Sequence, residues 1–294
     1  MKSYSRIAIF GPGLMGGSLC LALRERFPDT HLAVWGRSQD RLSEIQDRDF
    51  ADSTSTSPSE IAKTSELIIF CTPVERIAGL IEDCLEDISS DCLVTDVGSV
   101  KSCVDQSVSP LLKGRAKWIG SHPMTGSEKS GIDAARADLY QNARTLITPT
   151  SETDPAVVEE ITEFWSSLGA IVYQLSPEKH DQAVAVISHL PHLLASTLVQ
   201  ATPESFHTFA GPGYRDTTRI AAGSPELWQG ILLENRQAVL IALQMFINEL
   251  GTIRNLLQEK DSAGLETFLR EAAESRCQLK LVSASSDPET TEGS

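Results

Sequence analysis

The run Arg6-Ile7-Ala8-Ile9-Phe10, followed by Gly11-Pro12-Gly13-Leu14-Met15-Gly16, limits what this chain can fold into more than any other stretch. It sets a G-x-G-x-x-G loop between an apolar strand pattern and a helical pattern running from Leu14 to Arg26. In that setting each glycine has its own task. Gly11 allows a tight turn, Gly13 lets the backbone approach a pyrophosphate, and Gly16 lets the helix pack close to the strand. Leu14 and Met15 open the helix, so its free N–H groups and positive dipole end face the phosphates. Outside a βα junction the same six residues would be an ordinary turn.

The alternation continues. Strand patterns at Arg6–Phe10, His31–Trp35, Leu67–Phe70, Cys92–Thr95, Lys117–Ile119, Arg144–Ile147 and Ile171–Gln174 are separated by helical patterns. These are Leu14–Arg26, Asp40–Gln46, Val74–Leu85, Val100–Leu112 and Ala156–Leu168. Strands alternating with helices predict parallel pairing with helices on both sheet faces, an α/β Rossmann-type domain over residues 1–176. From Pro177 the pattern turns helical. Ser176-Pro177-Glu178 reads as a cap with proline at N1, opening a helix that runs through Val199. Ser224-Pro225-Glu226 starts another, reaching Gln258, with more apolar residues than a lone surface helix needs. A last helix covers Ala263–Val282. Residues 177–282 are therefore expected to form an all-helical domain, its apolar helix buried within a bundle or against a second subunit, and 283–294, rich in Ser, Thr and Glu, a disordered tail.

A net charge of −15 over 294 residues argues against nucleic acid or an anionic membrane as partner. An anionic ligand then has to be met by local Arg, Lys or His. The cysteines (Cys20, Cys71, Cys84, Cys92, Cys103, Cys277) show no C-x-x-C pair and no zinc-ligand spacing, so no metal is expected. The polar start has no leader pattern and no apolar run is long enough to span a bilayer. Together these features predict a cytoplasmic protein.

At the end of the second strand, where an NAD site usually carries an acid, stands Trp35-Gly36-Arg37-Ser38. Arg37 and Ser38 suit a 2′-phosphate, which favours NADP over NAD. Cys71-Thr72-Pro73 and Asp96-Val97-Gly98-Ser99 follow the next two buried strands, at the strand ends where open α/β sheets bind ligands.

Two segments concentrate histidine. His122 follows the fifth strand in Ser121-His122-Pro123-Met124-Thr125-Gly126-Ser127-Glu128, read as a loop at the rim of the sheet. A neutral imidazole there can take a proton from an alcohol as hydride leaves its carbon. His189 and His192 share a helix face in Ser188-His189-Leu190-Pro191-His192, where Pro191 disturbs the backbone ladder. Arg219 precedes Ile220-Ala221-Ala222, an apolar flank that should turn its guanidinium inward toward a carboxylate.

In this order and spacing the segments resemble the prephenate/arogenate dehydrogenase family of tyrosine biosynthesis. The carriers are Gly11–Ser18, Asp96–Lys101, His122–Glu128, Ser188–His192 and Thr218-Arg219-Ile220-Ala221 with Trp228 beyond. The resemblance implies NAD(P)-dependent oxidative decarboxylation of prephenate or arogenate by a homodimer joined through the helical domain. It implies that His122 is the base on the ring hydroxyl, that Ser99 orients it, and that Arg219 holds a carboxylate. It also implies that His192 lines the pocket, that Glu128 stands at its polar edge, and that Trp228 reaches across the dimer. Glu128 could pair with the ammonium that distinguishes arogenate from prephenate. Two rivals share the glycine loop: another two-domain Rossmann dehydrogenase of the β-hydroxyacid or pyrroline-carboxylate reductase type, and a non-catalytic NADP-binding protein. The first does not call for both His-Pro-Met-Thr-Gly and Ser-His-Leu-Pro-His, and the second has no need for Ser99, His122 and Arg219 to converge.

Overall fold

The computed structural model describes residues 2–126 and 131–284. Every strand of the first sheet runs parallel, in the order β3-β2-β1-β4-β5-β6. Its strands are β1 (Arg6–Phe10), β2 (His31–Trp35), β3 (Ser53–Ser55), β4 (Leu67–Phe70), β5 (Leu93–Asp96) and β6 (Lys117–Trp118). Period-two alternation gives each face its own core. Ile7, Ile9, Val34 and Ile69 pack on one side, and Ala8, Phe10, Ile68 and Phe70 on the other. The helices between them are α1 (Leu14–Arg26), α2 (Gln39–Asp47), α3 (Pro58–Ala62), α4 (Ile77–Cys84) and α5 (Ser102–Leu112). The chain builds outward from β1 through β2 to β3, then returns to β4 on the other side of β1. That reversal opens a crevice at the carboxyl ends of β1 and β4, where sheets of this kind take their ligands.

A second sheet corrects the expectation of parallel pairing throughout. It consists of β7 (Gly120–Pro123), β8 (Arg144–Thr148) and β9 (Ile171–Gln174) in that order, with β7 antiparallel to β8 and β9 parallel to it. β7 reads Gly-Ser-His-Pro, residues of poor strand propensity, which is why it looks like a loop in the sequence. Its strand form comes from tertiary pairing with β8. α6 (Pro155–Ser167) joins β8 to β9, with Asp154 accepting from Ala156 N at its start.

The helix expected from Pro177 through Val199 is interrupted. α7 (Pro177–Val184) passes through a π-helical stretch, Ala185–His189, into α8 (Leu190–Ala201). Pro191 has no N–H to donate back along the ladder, and the wider turn absorbs the loss. By length and composition the span Pro177–Ala201 could cross a membrane, with mean hydropathy 1.3, contrary to the expectation that no segment could. Four of its polar residues, His180, Asp181, His189 and His192, are buried within the fold. Beyond it come α9 (Pro212–Thr218) and α10 (Pro225–Glu234), the latter capped by Ser224 accepting from Leu227 N. The helix expected to run on to Gln258 breaks at Asn235, whose side chain turns into the site, and α11 (Arg236–Glu259) begins beyond it.

The chain divides into two compact units, one through Val239 and one from Leu240 onward. The first holds both sheets and the helices through α10. The second comprises the rest of α11 and α12 (Ser262–Ala284), which extends two residues into the stretch expected to be tail. The remaining tail positions, 285–294, lie outside the described residues.

Candidate active site

The glycine loop sits at the carboxyl end of β1, over the crevice. Gly11 has φ +109°, and a Cβ there would meet the carbonyl oxygen of Cys71 at 2.9 Å and the Thr72 methyl at 3.1 Å. Only glycine fits both the conformation and the close approach of the two strand ends. A Cβ on Gly16 would run into the Gly11 carbonyl, so this glycine sets how closely α1 approaches β1. Gly13, the N-cap of α1, is different: a Cβ there meets nothing within 4 Å. Leu14 and Met15 are half-buried, and the Met15 carbonyl accepts from Tyr140 Oη at 2.8 Å. Across the crevice Thr72 Oγ1 is buried without a partner, and Pro73 turns the chain toward α4. Cys71 is a free thiol whose burial pushes its pKa well above the ordinary value. At the end of β2, Arg37 is exposed, with no hydrogen-bond or ion-pair partner among the described residues. Ser38 caps α2 without using its hydroxyl.

The other half of the site is polar and buried. His122 lies within β7, not in a loop as its sequence suggests. Its neighbour Ser121 is clamped to the end of β5. Ser121 N donates to Asp96 Oδ1 at 3.1 Å, and the Ser121 carbonyl accepts from Lys101 Nζ at 2.8 Å. Ser121 Oγ bonds Thr95 Oγ1 at 2.8 Å and accepts from Trp165 Nε1 at 3.1 Å. Lys101 and Asp96 also pair directly, both fully buried. The strand carrying His122 and the loop carrying Ser99 are thus tied together through Asp96 and Lys101. Ser99 itself is half-buried, with its hydroxyl uncommitted.

Side chains alternate along a strand, so His122 points away from Ser121 and toward α7. Its Nδ1 lies 2.8 Å from His180 Nε2, and His180 Nδ1 lies 2.8 Å from Asp181 Oδ1. Asp181 also accepts from Lys101 N at 2.8 Å and Ser102 N at 2.9 Å. Burial pushes the Asp181 carboxyl up, but hydrogen bonds from His180, Lys101 and Ser102 outweigh it and hold the group below its ordinary value. Burial, with His180, Lys101 and His189 adding to it, keeps His122 well below the usual histidine value. Burial likewise lowers His180 and His192, and takes His189 down to about 4. All four rings are therefore neutral at pH 7. The sequence analysis missed His180 and Asp181. The signal available was a His-Asp pair just inside a capped helix, with His180 four positions before the buried Val184.

His189 and His192 project from the π-helical stretch and the start of α8. Both are buried, and His189 Nε2 and His192 Nδ1 have no partner among the described residues. His192 stacks on Trp228 with centroids 3.6 Å apart and planes 12° apart, while His189 meets the same indole edge-on at 6.1 Å. Gly223 makes room for this, since a Cβ there would lie 2.6 Å from Trp228 Nε1. Trp228 is thus engaged within its own chain. The expectation that the apolar flank turns Arg219 inward is not met. Arg219 is exposed in the turn after α9, because Ile220 and Ala221 are themselves only half-buried and give it no core to enter. Its guanidinium has no partner among the described residues and remains free for an anion. Glu128 lies outside the described residues.

Two family models match the chain: prephenate dehydrogenase, nucleotide-binding domain, over residues 19–174, and prephenate dehydrogenase, dimerization domain, over residues 176–271. The chain belongs to the prephenate dehydrogenase family. Prephenate dehydrogenase of Bacillus subtilis (strain 168) is 35% identical over 288 residues, spanning 94% of this chain and 76% of its own. Cyclohexadienyl dehydrogenase of Zymomonas mobilis is 29% identical over 95% of this chain and 98% of its own. Among solved structures, Aquifex aeolicus prephenate dehydrogenase in complex with hydroxyphenyl propionate and NAD+ superposes with a TM-score of 0.88 at 30% identity. That match covers 95% of this chain and 99% of the other. Synechocystis arogenate dehydrogenase gives 0.81 at 31%, covering 93% and 99%.

As a prephenate dehydrogenase family member this protein is an NAD(P)-dependent oxidoreductase that oxidatively decarboxylates prephenate or arogenate. Its residues fit the dinucleotide such an enzyme needs. Open space over Gly13 admits a pyrophosphate to the N-terminus of α1, and the orphaned Thr72 Oγ1 offers a polar partner across the crevice.

Proposed function

We propose that the histidine-lined half of this site is where the ring hydroxyl is deprotonated, with His122 as general base. The observation that carries the proposal is the buried imidazole of His122, held on one side by the His180–Asp181 pair, its other nitrogen without a partner among the described residues; burial favours its neutral form. A bound nicotinamide supplies the hydride acceptor. His122 takes the hydroxyl proton as hydride leaves the ring carbon, and loss of CO2 from the opposite ring carbon then yields an aromatic phenol. Aromatisation drives the reaction forward, so the protein mainly has to orient the ring and accept one proton.

The remaining roles follow from chemistry. The half-buried Ser99 hydroxyl, on the loop tied to the His122 strand, hydrogen-bonds the reacting oxygen. His189, His192 and Trp228 form the pocket wall, and the free Arg219 guanidinium takes a substrate carboxylate. Gly11, Gly13, Leu14, Met15 and Gly16 receive the pyrophosphate, with Cys71, Thr72 and Pro73 lining the facing edge of the crevice. Arg37 and Ser38, both with uncommitted polar groups, favour NADP through its 2′-phosphate. Residues 1–176 then serve the cofactor and also bring Ser99 and His122 to the substrate, and 177–282 serve the substrate and self-association. The second unit exposes Leu240, Ile241, Met245, Leu257 and Leu269, an apolar surface suited to a second copy of this chain. A cytoplasmic setting is part of the same proposal, in keeping with the free thiols.

Steady-state kinetics with prephenate and arogenate, each with NAD+ and NADP+, tests the reading. Turnover of at least one substrate with lower KM for NADP+ is the expected outcome, and a clear NAD+ preference would remove Arg37 from the cofactor site.

A further inference from the structure

Asp181 reaches two of the site's histidines, His122 and His189, by two routes with different intermediaries. On the first, its carboxylate already accepts from two backbone N–H groups, Lys101 and Ser102, and as an anion it can only accept from the adjacent ring. His180 must therefore carry its proton on Nδ1. A neutral His180 then presents a bare Nε2 to His122, and His122 must donate from Nδ1 across the 2.8 Å contact. That leaves the lone pair of His122 on Nε2, the nitrogen with no partner among the described residues.

The second route starts at the Asp181 main-chain carbonyl. It accepts from Asn235 Nδ2 at 2.8 Å, and a carbonyl cannot donate, so the amide nitrogen of Asn235 must be the atom facing it. The same nitrogen lies 3.1 Å from His189 Nδ1, which must then be the acceptor. A neutral His189 with an accepting Nδ1 carries its proton on Nε2, the buried atom without a partner.

We infer that Asp181 is a positioning residue that fixes two site histidines in opposite tautomers. Through its carboxylate and His180 it leaves His122 Nε2 as a proton acceptor. Through its carbonyl and Asn235 it leaves His189 Nε2 as a hydrogen-bond donor. The use made of them, a base for the hydroxyl and a donor for an anionic oxygen of the substrate, rests on the function proposed above; the tautomers themselves do not. Among the described residues the charged and titratable groups around His122 are His180 and Asp181 on α7, Lys101 at the N-cap of α5, paired with Asp96 at the end of β5, and His189 on the π-helical stretch. Among the described residues His180 Nε2 is the one hydrogen-bond partner of His122 Nδ1.

Two-bond 1H–15N correlation spectra of the full-length protein, 15N-labelled at histidine and recorded at neutral pH, decide the matter. His122 is expected as the Nδ1–H tautomer and His189 as Nε2–H. The reverse assignment of either ring overturns the inference for that ring, whatever the enzyme turns over. Asp181→Ala keeps the main-chain carbonyl, so it should release His122 into a tautomer mixture and leave His189 unchanged. With it kcat should fall on the order of 10²-fold and KM move little, as expected when a base is misprotonated. Asn235→Leu should do the converse, raising substrate KM by roughly tenfold, the worth of one lost hydrogen bond, with the His122 signals unmoved. A His122 tautomer unaffected by Asp181→Ala, or an unchanged KM in Asn235→Leu, contradicts the corresponding half. If a variant does not fold, the wild-type spectrum decides alone. An absence of turnover with either substrate beside the expected tautomers would sink the functional reading and leave this one standing.

Discussion

The two ends of this site are made in opposite ways. At the glycine loop, side chains are absent where they would obstruct. Gly11 and Gly16 let backbone approach backbone, and Gly13 leaves space that nothing in the protein fills. At the histidine end, polar side chains are buried that would ordinarily stay in water, and each is held by another: His122 by His180, His180 by Asp181, His189 by Asn235. The first arrangement binds by geometry and backbone dipoles, and tolerates almost no change of shape. In the function proposed above, the second would do chemistry by holding neutral rings in a dry place, and its sensitivity would be to charge and proton position.

That difference makes effects separable. The largest should come from His122→Asn. It removes the proposed base and is expected to cut kcat by about 10²–10⁴-fold while the Kd for the dinucleotide, measured by fluorescence titration, stays as in the parent. Near-normal turnover would dissolve the distinction between the two ends. Next comes pH. Buried histidines held below their ordinary values cannot take up protons that the unfolded chain can, so stability should fall as pH drops below 6.5. For His189 alone, held at about 4, the loss by that pH is on the order of 3 kcal/mol. The Gly11–Gly16 loop has no titratable side chain and contributes nothing to this. Urea unfolding at pH 7 and pH 5 should show the lower midpoint at pH 5; equal midpoints would mean that these rings are not buried in neutral form.

Two alanines sharpen the glycine end. Gly16→Ala drives a methyl into backbone and should cost about 1–3 kcal/mol of stability, along with cofactor affinity. Gly13→Ala meets no protein atom, so its Tm should match the parent while the Kd for the dinucleotide rises about tenfold, roughly 1.4 kcal/mol. Equal effects of the two substitutions would show that Gly13 does not face the ligand. The smallest effect is that of Arg37→Ala, which removes one exposed charge-assisted contact. It should raise KM for NADP+ several-fold, within the range of about 1–2 kcal/mol, and leave KM for NAD+ unchanged.

The glycine end was legible in the sequence and the histidine end only partly. The strands at Arg6–Phe10, His31–Trp35 and Leu67–Phe70 carry their own apolar pattern, and the G-x-G-x-x-G motif states its position in the fold. β7 does not: Gly120-Ser121-His122-Pro123 becomes a strand only because Arg144–Thr148 lies beside it. His180 and Asp181 were hidden for a related reason. A His-Asp pair in a capped first turn looks like a solvated helix end, and its function appears only once β7 brings His122 to it. Asn235 carries no local signal at all; it ends one helix and contacts residues more than forty positions back in the chain. Pro191 did announce a disturbed ladder, but not that the disturbance takes the form of a π-helical stretch carrying His189.

The central claim is that His122 faces the reacting hydroxyl with its unprotonated nitrogen. A crystal structure of this protein with NADP+ and a hydroxyphenyl product analogue tests it most directly. The account predicts the phenolic oxygen within about 3.2 Å of His122 Nε2, with Arg219 on the analogue's carboxylate. A phenolic oxygen bound elsewhere, with His122 Nε2 turned away from the ring, would contradict it.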